Sequence, residues 1–241
     1  ITDVHVMMDE DHALLAIDAI EGVPVLPEHD VVVVDEGHEL AARFTGVATA
    51  DLSATAIDRA ARRSRSFAGD AASGQLVDAG EMLRRELDEV EPGRLDELPA
   101  GLHTAVAGVR DASRAVRSGF TSGERDGEHE SGRRTAKAAV DDAFDTAERM
   151  AAHDAGDVVW VEERDRGARL LRVAPLSVAG LLRDRLFASA TVVATSATME
   201  LGGSFEPVAR SLGLVGEGSP EWRGRDVGKP VDDAREAIMY V

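Results

Sequence analysis

Along residues 1–48 short uninterrupted apolar runs alternate with a helical period. VHVMM (4–8) predicts a strand, HALLAIDAI (12–20) a helix, and VVVVDE (31–36) a second strand. Four consecutive valines without alternation predict a strand covered on both faces, as in a parallel sheet between helices. The prolines of EGVPVLPEHD punctuate the connection before it. This pattern predicts an α/β architecture.

From about Thr49 the period becomes helical throughout. Leu76, Leu83, Leu87 and Val90 share one helix face; so do Leu102, Val106, Val109, Val116 and Phe120, and then Val140, Phe144, Ala147 and Ala151. EPGRLDELPAG and TSGERDGEHESG separate these helices with turn formers and charge. Residues 49–155 are therefore expected to form an alanine-rich helical bundle.

Near Gly156 the pattern changes again. DVVWVEER, DRG and ARLLRVA predict a β-hairpin, with Gly167 free to take the positive φ of its turn. PLSVAGLLRDRLF predicts a helix with Ser177 as N-cap, and TVVATSATM (191–199) a further buried strand. The expected organisation is a helical domain inserted between strands of one parallel sheet. Residues 1–48 and 156–200 build the sheet domain, the latter with hairpin, helix and strand. Residues 201–241 contain a linker, EWRGRDVGKP (221–230), and the entry to a further lobe.

Charge narrows the partners. The chain has 45 acidic and 27 basic residues, a formal charge of −18, so as a whole it repels a phosphate backbone and any nucleic-acid contact needs a local basic stripe. There is no cysteine, and the seven histidines show no zinc-type spacing, which excludes disulfides and cysteine-ligated metal within these residues. No apolar run approaches the roughly 18 residues of a membrane span, and ITDVHVMMDEDH lacks the basic end and apolar middle of a signal peptide. A cytoplasmic protein without a membrane partner is expected. The start at Ile1 and the apolar end AIMYV suggest a segment of a longer polypeptide.

Candidate chemistry gathers at two strand ends. In an α/β sheet ligands collect outside the carboxyl ends of the strands, where Asp35 and Glu36 are expected. Paired carboxylates there suit phosphoryl transfer: Asp35 would hold Mg²⁺, and Glu36 would orient and deprotonate an attacking water, a role that typically supplies ~10²–10⁴ in rate. His38 can relay between loops through two distinct ring nitrogens. Thr195, Ser196 and Thr198 close the other strand with compact hydroxyls able to hydrogen-bond a histidine. The alternative is that Asp35, Glu36 and His38 merely end a strand and cap the helix starting ELAARF.

VVVVDEGHEL (31–40) resembles the Walker B or DEAH-type box of a superfamily-two helicase, and TSAT (195–198) resembles its Ser-Ala-Thr motif. With HALLAIDAI, VLPEHDVVVVDEGHEL, LFASATVVATSATM and WRGRDVGKPVDDAREAIMYV, the chain resembles DinG-like helicases, bacterial relatives of the XPD-type iron–sulfur DNA helicases. The resemblance implies a partial RecA-like sheet of the P-loop NTPase type with an inserted helical Arch-like domain. It implies ATP hydrolysis, with Mg²⁺ coordination and water activation by Asp35 and Glu36, and coupling of hydrolysis to strand movement through His38 with Thr195, Ser196, Ala197 and Thr198. It also implies translocation from the five-prime end along single-stranded DNA, in repair or replication. Any iron–sulfur cluster would belong to the parent protein, with ligands upstream of these residues.

Three features depart from that family. Gly37 stands where members usually carry alanine. MMDEDHALL replaces a usual Asn-His and creates a second DExH string at Asp9 to His12, read more simply as an acidic helix N-terminus. No Gly-x-x-x-x-Gly-Lys-Ser/Thr loop occurs, and the nearest string, GRDVGKP (224–230), is one residue short with Pro230 in place of a hydroxyl. The segment alone is expected to be inactive.

For DNA contact the candidates are Arg59, Arg62 and Arg63 on one helical face, with Arg65 nearby, and Arg133, Arg134 and Lys137 after the acidic loop; a solvated helix face is the plainer reading. Trp160 could stack a base but reads better as core. Two other functions remain open. One is a non-enzymatic helical module for protein interaction. The other is a metal-dependent nuclease using Asp9, Glu10, Asp35 and Glu36.

Overall fold

A computed structural model describes residues 4–7, 12–21, 25–120 and 130–228. In chain order its elements are β1 (Val4–Met7), α1 (His12–Glu21), β2 (Val31–Val34), α2 (Leu40–Val47), β3 (Ala50–Leu52), α3 (Ala54–Ala68), α4 (Asp70–Asp88) and β4 (Gly93–Leu95). They continue with α5 (Ala100–Gly119), α6 (Glu130–Ala152), β5 (Asp157–Glu163), β6 (Arg169–Pro175), α7 (Ala179–Leu181), β7 (Thr191–Ala194) and α8 (Glu206–Ser211). These fall into two compact units: Ile1–Phe44 with Val178–Val241, and Thr45–Ser177. No helix among the described residues is long and apolar enough to cross a membrane.

The first unit is a mixed α/β body around a short parallel sheet of order β1-β2-β7. Val31 to Val34 pair in register with Val4 to Met7 on one side and Thr191 to Ala194 on the other. The valine run is central because both its edges are paired, and Val32 and Val34 are fully buried. Leu15, Ala16, Leu40, Phe44, Leu182 and Leu186 supply further apolar cover. Each large aliphatic or aromatic side chain removed from water in this way contributes about 1.5–3 kcal/mol.

Several local expectations are corrected. Strand β2 stops at Val34, and Asp35 and Glu36 turn out of the sheet. Strand β7 covers only 191–194 and is not a buried strand: it has one paired neighbour among the described residues, and Val193 is 47% exposed. Val178, not Ser177, occupies the N-cap of α7, which continues as a π-helical stretch Leu182–Phe187. The segment 221–228 has no regular structure. A Cβ on Gly224 would lie 2.5 Å from the Phe205 ring, so its backbone lies against that side chain.

The second unit joins the helices to an antiparallel sheet of order β3-β6-β5-β4. The expected hairpin is present, with Gly167 at φ 75° in its turn. It does not join the parallel sheet, because β3 and β4 pair with its two strands. Strand β4 lies inside EPGRLDELPAG, where turn formers concealed it from periodicity. Alternation sorts the sheet's faces: Val159, Val161, Leu171 and Val173 enter one core with Leu76, Leu83, Leu87, Leu102, Val106 and Val140. On the other face Arg172 bonds Asp51 and Glu162 at 2.7 Å each and lies over Trp160 at 5.5 Å. Trp160 is thus half-buried rather than core.

Polar side chains secure the helix ends. Ser53 Oγ accepts from the Ala56 N–H, a side-chain N-cap for α3. Arg169 donates to the carbonyls of Asp88 and Val90, satisfying the end of α4. Arg149 makes a two-pronged pair with Asp157 and donates to the Ala48 carbonyl, tying the last turn of α6 to the start of β5 and to the residues just before β3.

Candidate functional site

Strands β2 and β7 are neighbours and parallel, so their carboxyl ends emerge side by side although about 160 residues separate them in sequence. Beyond β2 the chain turns sharply: Glu36 adopts φ 50° and ψ 42°, in the left-handed region rare for a residue with a side chain. That conformation is of the kind that costs about 1–3 kcal/mol and needs surrounding contacts to hold it. Those contacts come from the loop after β7. The Gly37 N–H donates to the Thr195 carbonyl at 2.8 Å, and the Thr195 N–H donates to the Val34 carbonyl at 2.8 Å.

Side chains extend the same seam. The Thr195 hydroxyl donates to Asp35 Oδ1 at 2.9 Å, and the Ser196 hydroxyl donates to Glu36 Oε2 at 3.1 Å. His38 Nδ1 lies 2.8 Å from Ser196 Oγ and 3.2 Å from Glu36 Oε2, while its Nε2 lies 3.4 Å from Glu39 Oε1. A serine hydroxyl has one proton to donate. With that proton on Glu36, the bond between His38 and Ser196 requires the hydrogen on Nδ1, and the Thr198 N–H fills a second acceptor position on Ser196 at 3.2 Å. Ser196 is thereby the joint at which acid, imidazole and backbone meet.

This arrangement offers two carboxylates at an exposed strand end, each held by a hydroxyl from the neighbouring loop. Hard oxygen donors of this kind suit Mg²⁺, which is commonly bound by one or two carboxylates with water and substrate phosphates completing its shell. Among the described residues no group of three or more histidine or acidic side chains forms a ready-made metal cage. By donor chemistry Asp35 and Glu36 would suit such an ion, with Thr195 and Ser196 each bonded to one carboxylate oxygen. Ala197 lies in the same loop, between the two hydroxyl residues that make these contacts.

The basic candidates are dispersed among ion pairs. Arg62 pairs with Asp58, Arg65 with Asp70, Arg134 with Glu130 and Lys137 with Asp141, and Arg133 reaches the Phe120 carbonyl. Exposed Arg59 and Arg63 make no ion pair among the described residues. Asp9, Glu10 and the end of GRDVGKP lie outside the described residues, so the nuclease constellation and the second DExH string have no geometry here.

Sequence reasoning missed three participants. Glu39 faces His38, and Ala194 and Met199 press on Gly37. A glycine directly after the acid pair was the signal for the last two.

Over 239 residues, covering 96% of this chain, the sequence is 43% identical to ATP-dependent helicase DinG of Mycobacterium tuberculosis (strain ATCC 25618 / H37Rv). The same identity and coverage hold for the DinG of Mycobacterium bovis (strain ATCC BAA-935 / AF2122/97). The chain spans 36% of the length of each relative, so the likeness is to a DinG-like internal segment. No family model matches the chain.

Proposed function

We propose, from the likeness of nearly the whole chain to a DinG-like segment, that this polypeptide is part of an ATP-dependent DNA helicase. It contributes part of a RecA-like first motor lobe, carrying a DEAH-type box and a Ser-Ala-Thr motif, with an Arch-like helical domain inserted between them. The observation that carries this reading is the 2.8 Å contact of His38 with Ser196, which joins the two motifs across 158 positions of sequence.

In this reading ATP is the substrate and the Glu36 carboxylate accepts a proton from the attacking water. The water oxygen forms its bond to the γ-phosphorus as the bond to the ADP oxygen breaks. Asp35, with Glu36, would hold Mg²⁺, which supplies charge neutralisation on the phosphate oxygens when bound. Thr195 orients Asp35 and Ser196 orients Glu36, so a change at the phosphates reaches the loop after β7 through hydroxyl contacts. His38, bonded to that same loop, couples hydrolysis to movement along single-stranded DNA. The phosphate loop is absent from these residues, so catalysis belongs to the longer protein.

Glu36→Gln keeps the size and one acceptor of the side chain but removes the base. In the full-length helicase it should lower DNA-stimulated ATP turnover about 10²–10⁴-fold while nucleotide affinity changes little. Turnover equal to wild type in a phosphate-release assay would remove Glu36 from the chemistry.

A further inference from the structure

Gly37 does not need glycine for its backbone, since its φ lies outside the left-handed region that the chain uses at Gly167 or Gly213. It needs the absence of a side chain. A Cβ at position 37 would stand 2.8 Å from the Ala194 Cβ, 2.9 Å from the Met199 Cε and 3.4 Å from the Ala194 Cα. The thioether end of Met199 is flexible and can swing aside. The Ala194 Cβ is fixed to β7, which is bonded to β2 along its length, so it cannot move without moving the strand.

We propose that Gly37 and Ala194 are a size-matched pair that sets the spacing of the two strand ends, with Gly37 a positioning residue for the proposed hydrolysis and coupling. The inference rests on the helicase reading above. Its physical content is a seam of four short contacts beside that pair: Gly37 N–H to the Thr195 carbonyl at 2.8 Å, Thr195 to Asp35 at 2.9 Å, Ser196 to Glu36 at 3.1 Å, and His38 to Ser196 at 2.8 Å. Hydrogen bonds weaken when stretched beyond their optimum, so a methyl wedged at 37 loosens all four together. Complementary reduction at 194 leaves only the mobile Met199 end and the Ala194 Cα, which at 3.4 Å is an ordinary contact.

The test is a double-mutant cycle of Gly37→Ala and Ala194→Gly, read in two ways. In this 241-residue chain the exchange rate of the Thr195 amide, which bonds across to Val34, reports the seam without any catalysis. Gly37→Ala should accelerate it about 10-fold, and the double variant should return to within about 3-fold of wild type, the scale expected of a relieved overpacking defect. In the full-length helicase Gly37→Ala should lower kcat about 10-fold with KM for ATP unchanged, and Ala194→Gly should rescue it. Should Gly37→Ala fail to accumulate as folded protein, recovery of folded, active protein in the double variant carries the same support. A double variant as impaired as Gly37→Ala, or Gly37→Ala indistinguishable from wild type in both readouts, overturns the proposal. If Glu36→Gln assayed alongside retains full turnover, the helicase-site reading has failed; the exchange cycle still judges the Gly37 and Ala194 pair.

Discussion

Glu36 is where local preference and candidate chemistry conflict. Its φ of 50° would suit glycine or asparagine, yet a carboxylate stands there, bonded by Ser196 and facing His38. Replacing a non-glycine residue in that region by glycine relieves backbone strain, while flexibility in the unfolded chain offsets part of the gain. Glu36→Gly should therefore leave the thermal midpoint of this chain unchanged or higher in a calorimetric melt, while removing the proposed base. A drop of several degrees would mean that the Ser196 and His38 contacts outweigh the strain. The presence of both acids and the histidine was legible from residues 31–40 alone, because a valine run ending in charge marks a strand end. The left-handed turn was not legible, since nothing in Asp-Glu-Gly-His specifies which residue takes the positive φ.

Among the elements, the antiparallel sheet of the second unit shows how strands too short for periodicity gain partners. β3 and β4 each span three residues and pair onto the edges of a hairpin that was evident from VVWV and RLLRV. The outward face of that sheet is held by charge. The hydrogen bond from Arg172, with smaller attraction from Arg172 and Arg164, holds the Glu162 carboxyl below its usual range despite an opposing desolvation effect. A carboxyl depressed in the folded state stabilises the fold fully above its unfolded pKa and loses that contribution as pH falls through the folded value. Glu162→Gln should thus lower stability at neutral pH and converge on wild type in acid, below the ordinary glutamate range. Urea denaturation midpoints at successive pH values check this, and parallel curves for the two proteins would contradict it.

Across the whole molecule, the connected core of the second unit is drawn from residues 50–173, all within Thr45–Ser177. A unit with its own core can in principle fold alone. Residues 45–177 expressed separately should show helical circular dichroism and a single cooperative melt; a chain without a transition would show that the rest of the protein is required. The charge of −18 sets the terms for the proposed DNA contact. In that reading contact would have to come from local cations not already engaged, which on α3 points to Arg59 and Arg63 over the paired Arg62. In the proposed full-length helicase, replacing both by alanine should weaken single-strand binding and reduce the salt slope by about 0.7 for each lost phosphate contact. Anisotropy titrations at several salt concentrations measure it, and an unchanged slope would assign both arginines to a merely solvated face.

The sequence by itself determined the α/β character, the run of long helices between the two strand ends and the residue types at those ends, because burial period and strand-end chemistry are local properties of a chain; it did not determine that β3 and β4 make the inserted unit a mixed one rather than all-helical. Only the tertiary structure decided that the hairpin belongs with the helices and that Gly37 meets Ala194. Those outcomes depend on which edges find partners across more than a hundred residues, where backbone hydrogen bonding selects the neighbour and side-chain size sets the distance of approach.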